Sequence, residues 1–245
     1  MVEEVMVEVA DVVLGLLIDL VYPRRCPVCD KVLRPGALIH RDCEPKLKPV
    51  TDKYCMKCGR FMGDDENEYC YDCREREHNF DKGRTVFEYQ DVAKAIYKFK
   101  YSGRREYAEY FGKKAAEILK NELKEWDADA IIPVPIHKNR MRSRGYNQAY
   151  EFAKTLGKYA GIRVDNKLIK RIEDTKPLKF LNPAERQNNL KKAFKIGGND
   201  VKLSKIIVVD DIYTTGSTID TVARVLKENG VRSVYFVTLT AGKGL

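Results

Sequence analysis

The chain has 245 residues, of which 33% are charged and 44% hydrophobic, and it carries a net charge of +9 at pH 7. This length fits one domain of ordinary size with a small accessory domain, and the lack of low-complexity segments and long internal repeats excludes a disordered or repeat protein. The positive charge favours anionic partners, such as nucleic acids or phosphorylated substrates, without deciding between them.

Residues 1–22 contain an apolar stretch long enough to raise the question of a membrane segment. Four acids recur in it at helical spacing, opposite a row of valines and leucines: Glu4, Glu8, Asp11 and Asp19 against Val5, Val9, Val12, Leu16 and Leu20. We therefore predict an amphipathic helix that packs on protein and does not span a membrane. A signal peptide begins with basic residues, whereas this start is acidic, so we expect a cytoplasmic protein.

Residues 23–79 form a cysteine-rich segment that we interpret as a small zinc-binding module. Its seven cysteines are an odd number for disulfides, and they fall into C-x-x-C pairs, with His40 completing an H-x-x-C pair. The resulting eight ligands suffice for two tetrahedral zinc ions. The simplest assignment is sequential, with a first cluster of Cys26, Cys29, His40 and Cys43 and a second cluster of Cys55, Cys58, Cys70 and Cys73.

The same ligands also allow a cross-braced pairing, and reduced cysteines without metal are the alternative to both. The segment lacks the long apolar runs of an independent core, which favours metal as the source of its stability. Gly59, directly after Cys58, fits a tight turn around the metal. His78 lies outside the ligand spacing, and we expect it at the surface.

The remaining chain, residues 80–245, is predicted to form an α/β domain with a mostly parallel sheet flanked by helices. Residues 83–90 alternate like a strand, and residues 93–126 indicate two helices broken near Ser102 and Gly103. The break carries three cations that either contact a phosphate or nucleic acid or form a solvated corner: Lys100, Arg104 and Arg105.

A second basic group follows a buried strand at residues 130–134. Pro135 ends the strand because it cannot donate a hydrogen bond to a ladder. The loop after it carries Lys138, Arg140, Arg142 and Arg144. Doubly wound sheets bind ligands at the carboxyl ends of parallel strands, where these cations would suit a pyrophosphate. The alternative is a solvated basic turn.

Residues 168–196 are basic and are interrupted by Pro177 and Pro183. This composition is typical of a mobile arm beside a ligand. Loops of this kind close over active sites and exclude water. A solvated insertion is the alternative.

The most informative stretch is residues 206–218. It begins with a β-branched apolar run, Ile206 to Val209, that is typical of a strand buried on both faces, and Asp210 and Asp211 close that strand. A hydroxyl-rich loop then leads into an amphipathic helix, and its residues are Thr214, Thr215, Gly216, Ser217 and Thr218. No G-x-x-x-x-G-K-[ST] motif occurs in the chain, which excludes the metal-binding strand of a P-loop protein.

This order of elements predicts a ribose 5-phosphate site. Backbone N–H groups at the start of a helix favour a phosphate, and Gly216 allows its close approach. The adjacent carboxylates repel a phosphate but accept hydrogen bonds from ribose hydroxyls. The alternative is a buried strand that ends in solvated acids next to an ordinary Ser/Thr helix cap.

Four motifs occur in a characteristic order along the chain. They are the C-x-x-C pairs from Cys26 onward, PVP followed by RSRGYNQ in residues 133–148, T-x-P followed by ERQNNLKKAF in residues 175–194, and VVDDIYTTGST in residues 208–218. The last is similar to the phosphoribosyl pyrophosphate (PRPP) signature of type I phosphoribosyltransferases. Together they resemble the ComF family of competence-associated proteins. Two positions depart from that family, because His40 stands where cysteine is usual and Leu178 where Gln is common.

The resemblance implies a type I phosphoribosyltransferase-like fold that binds PRPP or ribose phosphate with Mg²⁺, and a role in DNA uptake during natural transformation. In a transferase of this class, pyrophosphate leaves the anomeric carbon through an oxocarbenium-like state. The acids Asp210 and Asp211 would hold the ribose, and residues 214–218 the 5-phosphate. The cations Arg142 and Arg144 would hold the leaving pyrophosphate with its metal, and Lys138 and Arg140 would help to bind the substrate. No acceptor nucleophile is identified.

Two other functions fit the same residues. In one, the domain is a PRPP sensor without turnover. In the other, the chain is a single-stranded DNA-binding adaptor, with a helicase-like competence protein as a further partner. Its basic loops would then contact the DNA backbone, and four aromatic side chains would either stack on bases or pack around the metal: Tyr54, Phe61, Tyr69 and Tyr71.

Overall fold

The computed structural model describes residues 21–172, 193–197 and 203–242. Nearly all of the helix predicted over residues 1–22 lies outside the described residues, as does most of the arm predicted over residues 168–196. Within the described ranges, no helix combines the length and the apolar character that crossing a bilayer requires.

The described residues fold into short helices and strands that alternate along the chain. The helices are α1 (Tyr71–Glu75), α2 (Tyr89–Tyr101), α3 (Tyr107–Ile118), α4 (Lys120–Trp126), α5 (Lys138–Arg144), α6 (Gln148–Ala160) and α7 (Ser217–Glu228). The strands are β1 (Lys82–Phe87), β2 (Ala130–Pro133), β3 (Ile169–Arg171), β4 (Phe194–Ile196), β5 (Lys205–Tyr213) and β6 (Ser233–Ala241). The helices predicted over residues 93–126 are therefore α2 and α3, with α4 as a third.

A parallel sheet with the strand order β1-β6-β5-β2 forms the centre of the larger domain. Alternate residues of β5 face different helices. Ile206 and Val208 pack in one buried cluster with α7, whereas Ile207 and Val209 pack in another with α2, α3 and α6. Because both faces are covered, the strands are continuously apolar. The prediction of an α/β domain with a parallel sheet flanked by helices is confirmed.

Two strands differ from their predicted form. Residues 83–87 are buried without alternation, because other segments cover the outer edge of β1. The Val50 N–H donates to the Val86 carbonyl at 2.9 Å, and the Gly83 N–H donates to the Lys57 carbonyl at 2.8 Å. Strand β5 continues to Tyr213, so the two acids lie within the strand and not after it.

The second cysteine cluster shares the hydrophobic core of the sheet. Its buried cysteines lie in the same cluster as side chains of β5, β6 and α7: Cys55, Cys58 and Cys70 with Tyr213, Phe236 and Val222. In the first cluster, Cys26 and Cys43 instead form a separate small core with Leu33. The domain boundary between residues 79 and 80 remains a prediction, and the shared core means that the two sides of it are in direct contact.

The two ends of the predicted arm pair with each other. Strands β3 and β4 form a two-stranded antiparallel sheet in which Lys170 lies opposite Lys195. Residues 173–192, which include Leu178, are outside the described residues. The mobility of the arm therefore remains a prediction.

Candidate functional site

The eight predicted metal ligands form two separate groups. Within each group the ligand atoms lie within 4.8 Å of one another, and the grouping is sequential and not cross-braced: Cys26, Cys29, His40 and Cys43, then Cys55, Cys58, Cys70 and Cys73. The Sγ atoms of Cys58 and Cys70 are 3.7 Å apart. Thiolates placed tetrahedrally at about 2.3 Å from zinc stand about 3.8 Å apart, so the second cluster has the size and donor set of a structural zinc site.

The first cluster uses His40 as its fourth ligand. The Nδ1 atom of His40 is 3.3 Å from Cys29 Sγ, and its Nε2 atom is 3.2 Å from the carbonyl oxygen of Val32. A carbonyl can only accept a hydrogen bond, so Nε2 carries the proton and donates it. The lone pair of Nδ1 is then available for zinc, and the Val32 carbonyl fixes the ring orientation.

Asp30 docks the first cluster on helices α2 and α3. It follows Cys29, and its carboxylate accepts hydrogen bonds from Arg104 Nε and the Tyr107 hydroxyl, both at 2.8 Å. The Lys98 ammonium lies 2.9 Å from the same carboxylate. The hydrogen bond from Arg104, together with those from Lys98 and Tyr107, holds the pKa of the Asp30 carboxyl well below its usual range.

All three cations of the predicted basic corner bind carboxylates of the chain. Besides Arg104 on Asp30, Arg105 lies 2.6 Å from Glu151, and the Lys100 ammonium lies 2.8 Å from Asp211. The charges of Arg104 and Arg105 are thus paired with acids of the chain. The Arg105 side chain is 59% exposed, so the solvated corner describes it in part.

The two acids of the β5 strand form a closely spaced pair. The backbone N–H of Asp211 donates to Asp210 Oδ1 at 2.8 Å. Burial and the negative charge of Asp211 raise the pKa of Asp210 to about 7, against the opposing charge of Lys100. The Asp211 side chain is only 14% exposed. The alternative interpretation, in which Asp210 and Asp211 are solvated acids at the end of a strand, therefore does not describe this pair.

Residues 214–218, which we call the hydroxyl loop, make the turn between β5 and α7. Gly216 has φ +77°, and a Cβ atom there would lie 2.6 Å from the Tyr213 hydroxyl, so the turn requires glycine. The Asp220 N–H donates to the Gly216 carbonyl. The N–H groups of the residues before Asp220 have no partner inside the helix, so the start of α7 suits an anion.

The cations after β2 lie on a short helix, α5, and not in an open loop. The side chains of Lys138, Arg140 and Arg142 form no hydrogen bond or ion pair with any residue that the structure describes. Arg144 differs, because it donates to Gln148 Oε1 at 3.0 Å and its guanidinium lies over the ring of Tyr101 at 5.0 Å.

Helix α2 brings Arg144 and the acid pair to the same corner of the molecule. Tyr101, which contacts Arg144, directly follows Lys100, which contacts Asp211. The sheet register places the end of β2 beside β5, with Pro133 opposite Val209. The basic helix and the acid pair thus lie at the same carboxyl edge of the sheet.

Three side chains next to the site were not predicted from the sequence. Arg60 donates through Nη1 to Asp72 Oδ2 at 2.9 Å and through Nη2 to the Thr214 carbonyl at 2.6 Å. The prediction of a surface position for His78 is wrong, because its side chain is 1% exposed and its Nδ1 lies 2.7 Å from Asp220 Oδ2. For Arg60 and Asp72 the available signal is a charged residue between two predicted zinc ligands, whereas His78 lies after the last ligand and had no such signal.

The aromatic residues considered for stacking differ in their surroundings. Tyr54 is half-buried, and the Arg84 guanidinium of β1 lies 3.5 Å from its ring centroid. Phe61, Tyr69 and Tyr71 are exposed. A further pair on α2 is more exposed than any of these: the rings of Tyr97 and Tyr101 are 5.1 Å apart and the residues are 62% and 60% exposed.

Comparison with known proteins finds two domain families in the chain. Residues 17–74 match the double zinc ribbon domain, and residues 158–244 match the phosphoribosyl transferase domain. The first range contains all eight metal ligands, and the second contains the acid pair and the hydroxyl loop. Competence protein F of Haemophilus influenzae is 27% identical over 202 residues, which cover 78% of this chain and 85% of that protein. The chain is a ComF homologue.

Other relatives cover similar shares of this ComF homologue. Competence protein ComFC of Bacillus subtilis is 28% identical and covers 81% of the chain and 82% of its own length. DNA utilization protein YhgH of Escherichia coli O6:H1 is 28% identical and covers 85% and 86%. A purine phosphoribosyltransferase from Pyrococcus horikoshii Ot3 is 15% identical with a TM-score of 0.34, covering 54% of this chain and 84% of that chain, and carries no conclusion by itself.

Proposed function

We propose that this ComF homologue binds PRPP or ribose 5-phosphate at the carboxyl end of β5 and acts in the cytoplasm during DNA uptake in natural transformation. The observation that carries the proposal is the largely buried acid pair, Asp210 and Asp211, placed just before the hydroxyl loop that begins α7. The names of its relatives, as competence and DNA utilization proteins, support the biological role.

The chemistry of the two parts matches the two ends of a ribose phosphate. The hydroxyl loop offers unpaired N–H groups and the side chains of Thr214, Thr215, Ser217 and Thr218 to the 5-phosphate. The carboxylates of Asp210 and Asp211 accept hydrogen bonds from the 2- and 3-hydroxyls. Occupation of the site would offset the cost of holding two carboxylates next to each other in the partly buried carboxyl half of β5.

The pyrophosphate of PRPP would face helix α5. Lys138, Arg140 and Arg142 have charges that no described residue offsets, and Arg144 is held at the same corner by Tyr101. We assign Arg142 and Arg144 to the leaving group, with Lys138 and Arg140 beside them. Carboxylates are preferred Mg²⁺ ligands, so Asp210 and Asp211 suit a cation that accompanies the pyrophosphate.

Turnover requires an acceptor, and the transferase and sensor functions differ only in that step. In the transferase, charge that builds on the departing pyrophosphate is stabilised by the α5 cations, which is the larger catalytic contribution available to these residues. Release of pyrophosphate from PRPP in the presence of candidate acceptors separates a transferase from a sensor.

The test of ligand binding is isothermal titration of the zinc-loaded full chain with PRPP and with ribose 5-phosphate in the presence of Mg²⁺. We expect both to bind, with PRPP the tighter because only it reaches α5. If neither ligand binds, the assignment of this site is rejected.

A second candidate function, contact with single-stranded DNA, is favoured by the Tyr97 and Tyr101 pair. Both rings are exposed on α2, and the Arg144 guanidinium lies over one of them. Exposed aromatic rings beside cations are the usual means of binding single strands without sequence preference. This surface replaces the basic corner of Arg104 and Arg105, whose charges are offset within the chain.

A further inference from the structure

We propose that Arg60 is a positioning residue that couples the second zinc cluster to the hydroxyl loop, so that zinc and a phosphate-bearing ligand strengthen each other's binding. The inference rests on the proposed function, because it concerns the same loop. Neither the cysteine spacing nor the phosphate motif assigns a role to this arginine.

The guanidinium of Arg60 joins both halves of the second cluster to the loop. Arg60 follows Cys58 by two residues, and Asp72, which accepts from its Nη1, lies between Cys70 and Cys73. The Nη2 of the same group donates to the carbonyl of Thr214, the first residue of the hydroxyl loop. One planar group is thus bound to the zinc module on one side and to the loop on the other.

Burial makes this connection specific. The side chains of Arg60 and Asp72 are 7% and 8% exposed, so water screens their interaction weakly. Among the described residues, the hydrogen bonds of the Arg60 guanidinium go to Asp72 and Thr214, and its Nε has no partner. A buried pair of this kind tolerates few alternative geometries.

The loop is supported at a second point by Tyr213. The Arg60 guanidinium lies over the ring of Tyr213 at 5.6 Å from its centroid, and the hydroxyl of that tyrosine is against Gly216. Tyr213 in turn lies in the buried cluster that contains Cys55, Cys58 and Cys70. Both the first and the central residue of the loop are therefore held by groups that pack on the second cluster.

Loss of zinc would remove the order on which this support depends. Zinc would join the segment of Cys58, which carries Arg60, to the segment of Cys70, which carries Asp72, so without it Arg60 and Asp72 would be held together less firmly. The Thr214 carbonyl would lose its donor and the loop its fixed position. Coupling between two ligands is reciprocal, so a phosphate-bearing ligand that orders the loop must also hold the second zinc more tightly.

The test is the equilibrium zinc affinity of the full chain, measured by competition with a chelator, with and without saturating ribose 5-phosphate. In the wild type we expect the ligand to raise the affinity of one of the two zinc sites by at least about fivefold, the lower range of measured couplings. The first cluster, which does not contact the loop in the part of the chain that the structure describes, is the internal control. Ligand binding without any change in either zinc affinity overturns the proposal.

Replacement of the pair tests the residue itself. Removing Arg60 alone would leave Asp72 buried without a partner, so we choose the double variant Arg60→Met with Asp72→Leu, in which apolar groups fill the same space. We expect it to bind two zinc ions, to bind ribose 5-phosphate at least about fivefold more weakly, and to lose the effect of the ligand on zinc affinity. Arg60→Lys, which cannot donate to both partners in the same fork, should retain part of the effect.

The matched control is Arg74→Ala, which removes a cation of the same module that donates to exposed Asn67 at 3.3 Å and does not contact the hydroxyl loop in the described structure. It should behave as the wild type. A double variant that keeps the full ligand effect overturns the role of Arg60. If the wild type binds no ribose phosphate, the proposed function fails, and amide hydrogen exchange of residues 210–220 then decides on Arg60 alone. Faster exchange in the double variant supports the contact, and equal exchange rejects it.

Discussion

The ammonium of Lys100 lies 2.8 Å from Asp211 Oδ1, and the two side chains are only 16% and 14% exposed. This ion pair covers one of the two acids that we assign to ribose hydroxyls. A ribose hydroxyl that donates to this Oδ1 would displace Lys100 from it. The displaced ammonium would then be next to the pyrophosphate of PRPP, at the corner that α5 shares with α2.

Lys100→Met should therefore affect the two ligands differently. Removal of the competing ammonium leaves ribose 5-phosphate affinity unchanged or raises it. PRPP affinity should fall about tenfold, because a charge-assisted hydrogen bond to its pyrophosphate contributes about 1.5 kcal/mol or more. Isothermal titration of both ligands measures the ratio, and Lys94→Met, an exposed lysine of the same helix, serves as the control. An equal loss for both ligands contradicts the displacement.

The raised pKa of Asp210, about 7, predicts a pH dependence of stability. Between its usual value near 3.8 and about 7, the folded state binds more protons than the unfolded state at this carboxyl, so its contribution to the free energy of unfolding falls as pH rises through that window and is constant above it. The charged groups that act on it are Asp211, Lys100 and Arg171.

Urea unfolding from pH 5 to pH 7.5 measures the free energy of unfolding of the wild type and of Asp210→Asn. The difference between the two isolates the contribution of Asp210, because the contributions of other groups cancel. The stability of the wild type relative to the variant should decrease with pH by at most about 1.4 kcal/mol per unit, the limit for one proton. A difference that is independent of pH would show that Asp210 is ionised throughout this range.

Zinc analysis tests the two clusters. The purified chain should contain about two equivalents of zinc, and His40→Ala should reduce this to about one because it removes a ligand and the Val32 hydrogen bond together. His40→Cys should restore two, since thiolate is an equivalent ligand. One equivalent in the wild type, unchanged in His40→Ala, would show the first cluster to be metal-free.

The parts of this site that were predictable are contiguous in sequence. The C-x-x-C spacing, the apolar run of β5 and the hydroxyl loop each place their residues within a few positions of one another, so local pattern is enough. The side chains that connect these parts are not contiguous: Arg60 and Thr214 are 154 residues apart, and Arg104 and Asp30 are 74 apart. Ion pairs between distant segments leave no periodic signal.

The wrong prediction for His78 has the same origin. A polar residue in a cysteine-rich stretch looks exposed until its partner is known, and Asp220 is 142 residues away. In the same way, Arg104 and Arg105 look like a basic surface because their acidic partners, Asp30 and Glu151, lie on other elements. Charge runs are informative about partners only once the folded neighbours are known.

Single-stranded DNA should bind through the Tyr97 and Tyr101 pair with a steep dependence on salt. Each phosphate contact adds about 0.7 to the magnitude of the log–log slope for a single strand. Charge reversal of Lys138 and Arg142 should lower this slope, whereas replacement of both tyrosines by alanine should weaken binding by about 1 to 3 kcal/mol per stacked base and leave the slope unchanged. Tyr69→Ala with Tyr71→Ala, two exposed tyrosines of the zinc module, is the matched control. An equal loss of DNA affinity in the two double-tyrosine variants would contradict a DNA-binding surface on α2.

The acid pair decides between a ligand site and a coincidental strand end. Replacing Asp210 and Asp211 by Asn keeps their size and some hydrogen bonding but removes charge-assisted bonds, each worth about 1.5 to 3 kcal/mol in net terms. Affinity for PRPP and ribose 5-phosphate in the presence of Mg²⁺ should fall at least about tenfold, since 1.4 kcal/mol is a factor of ten. The zinc content should stay at two equivalents, because neither acid contacts a cysteine cluster in the described structure. Equal affinity of the variant and the wild type would reject the ribose site, and with it both the transferase and the sensor, and would leave the DNA-binding surface on α2 as the remaining function.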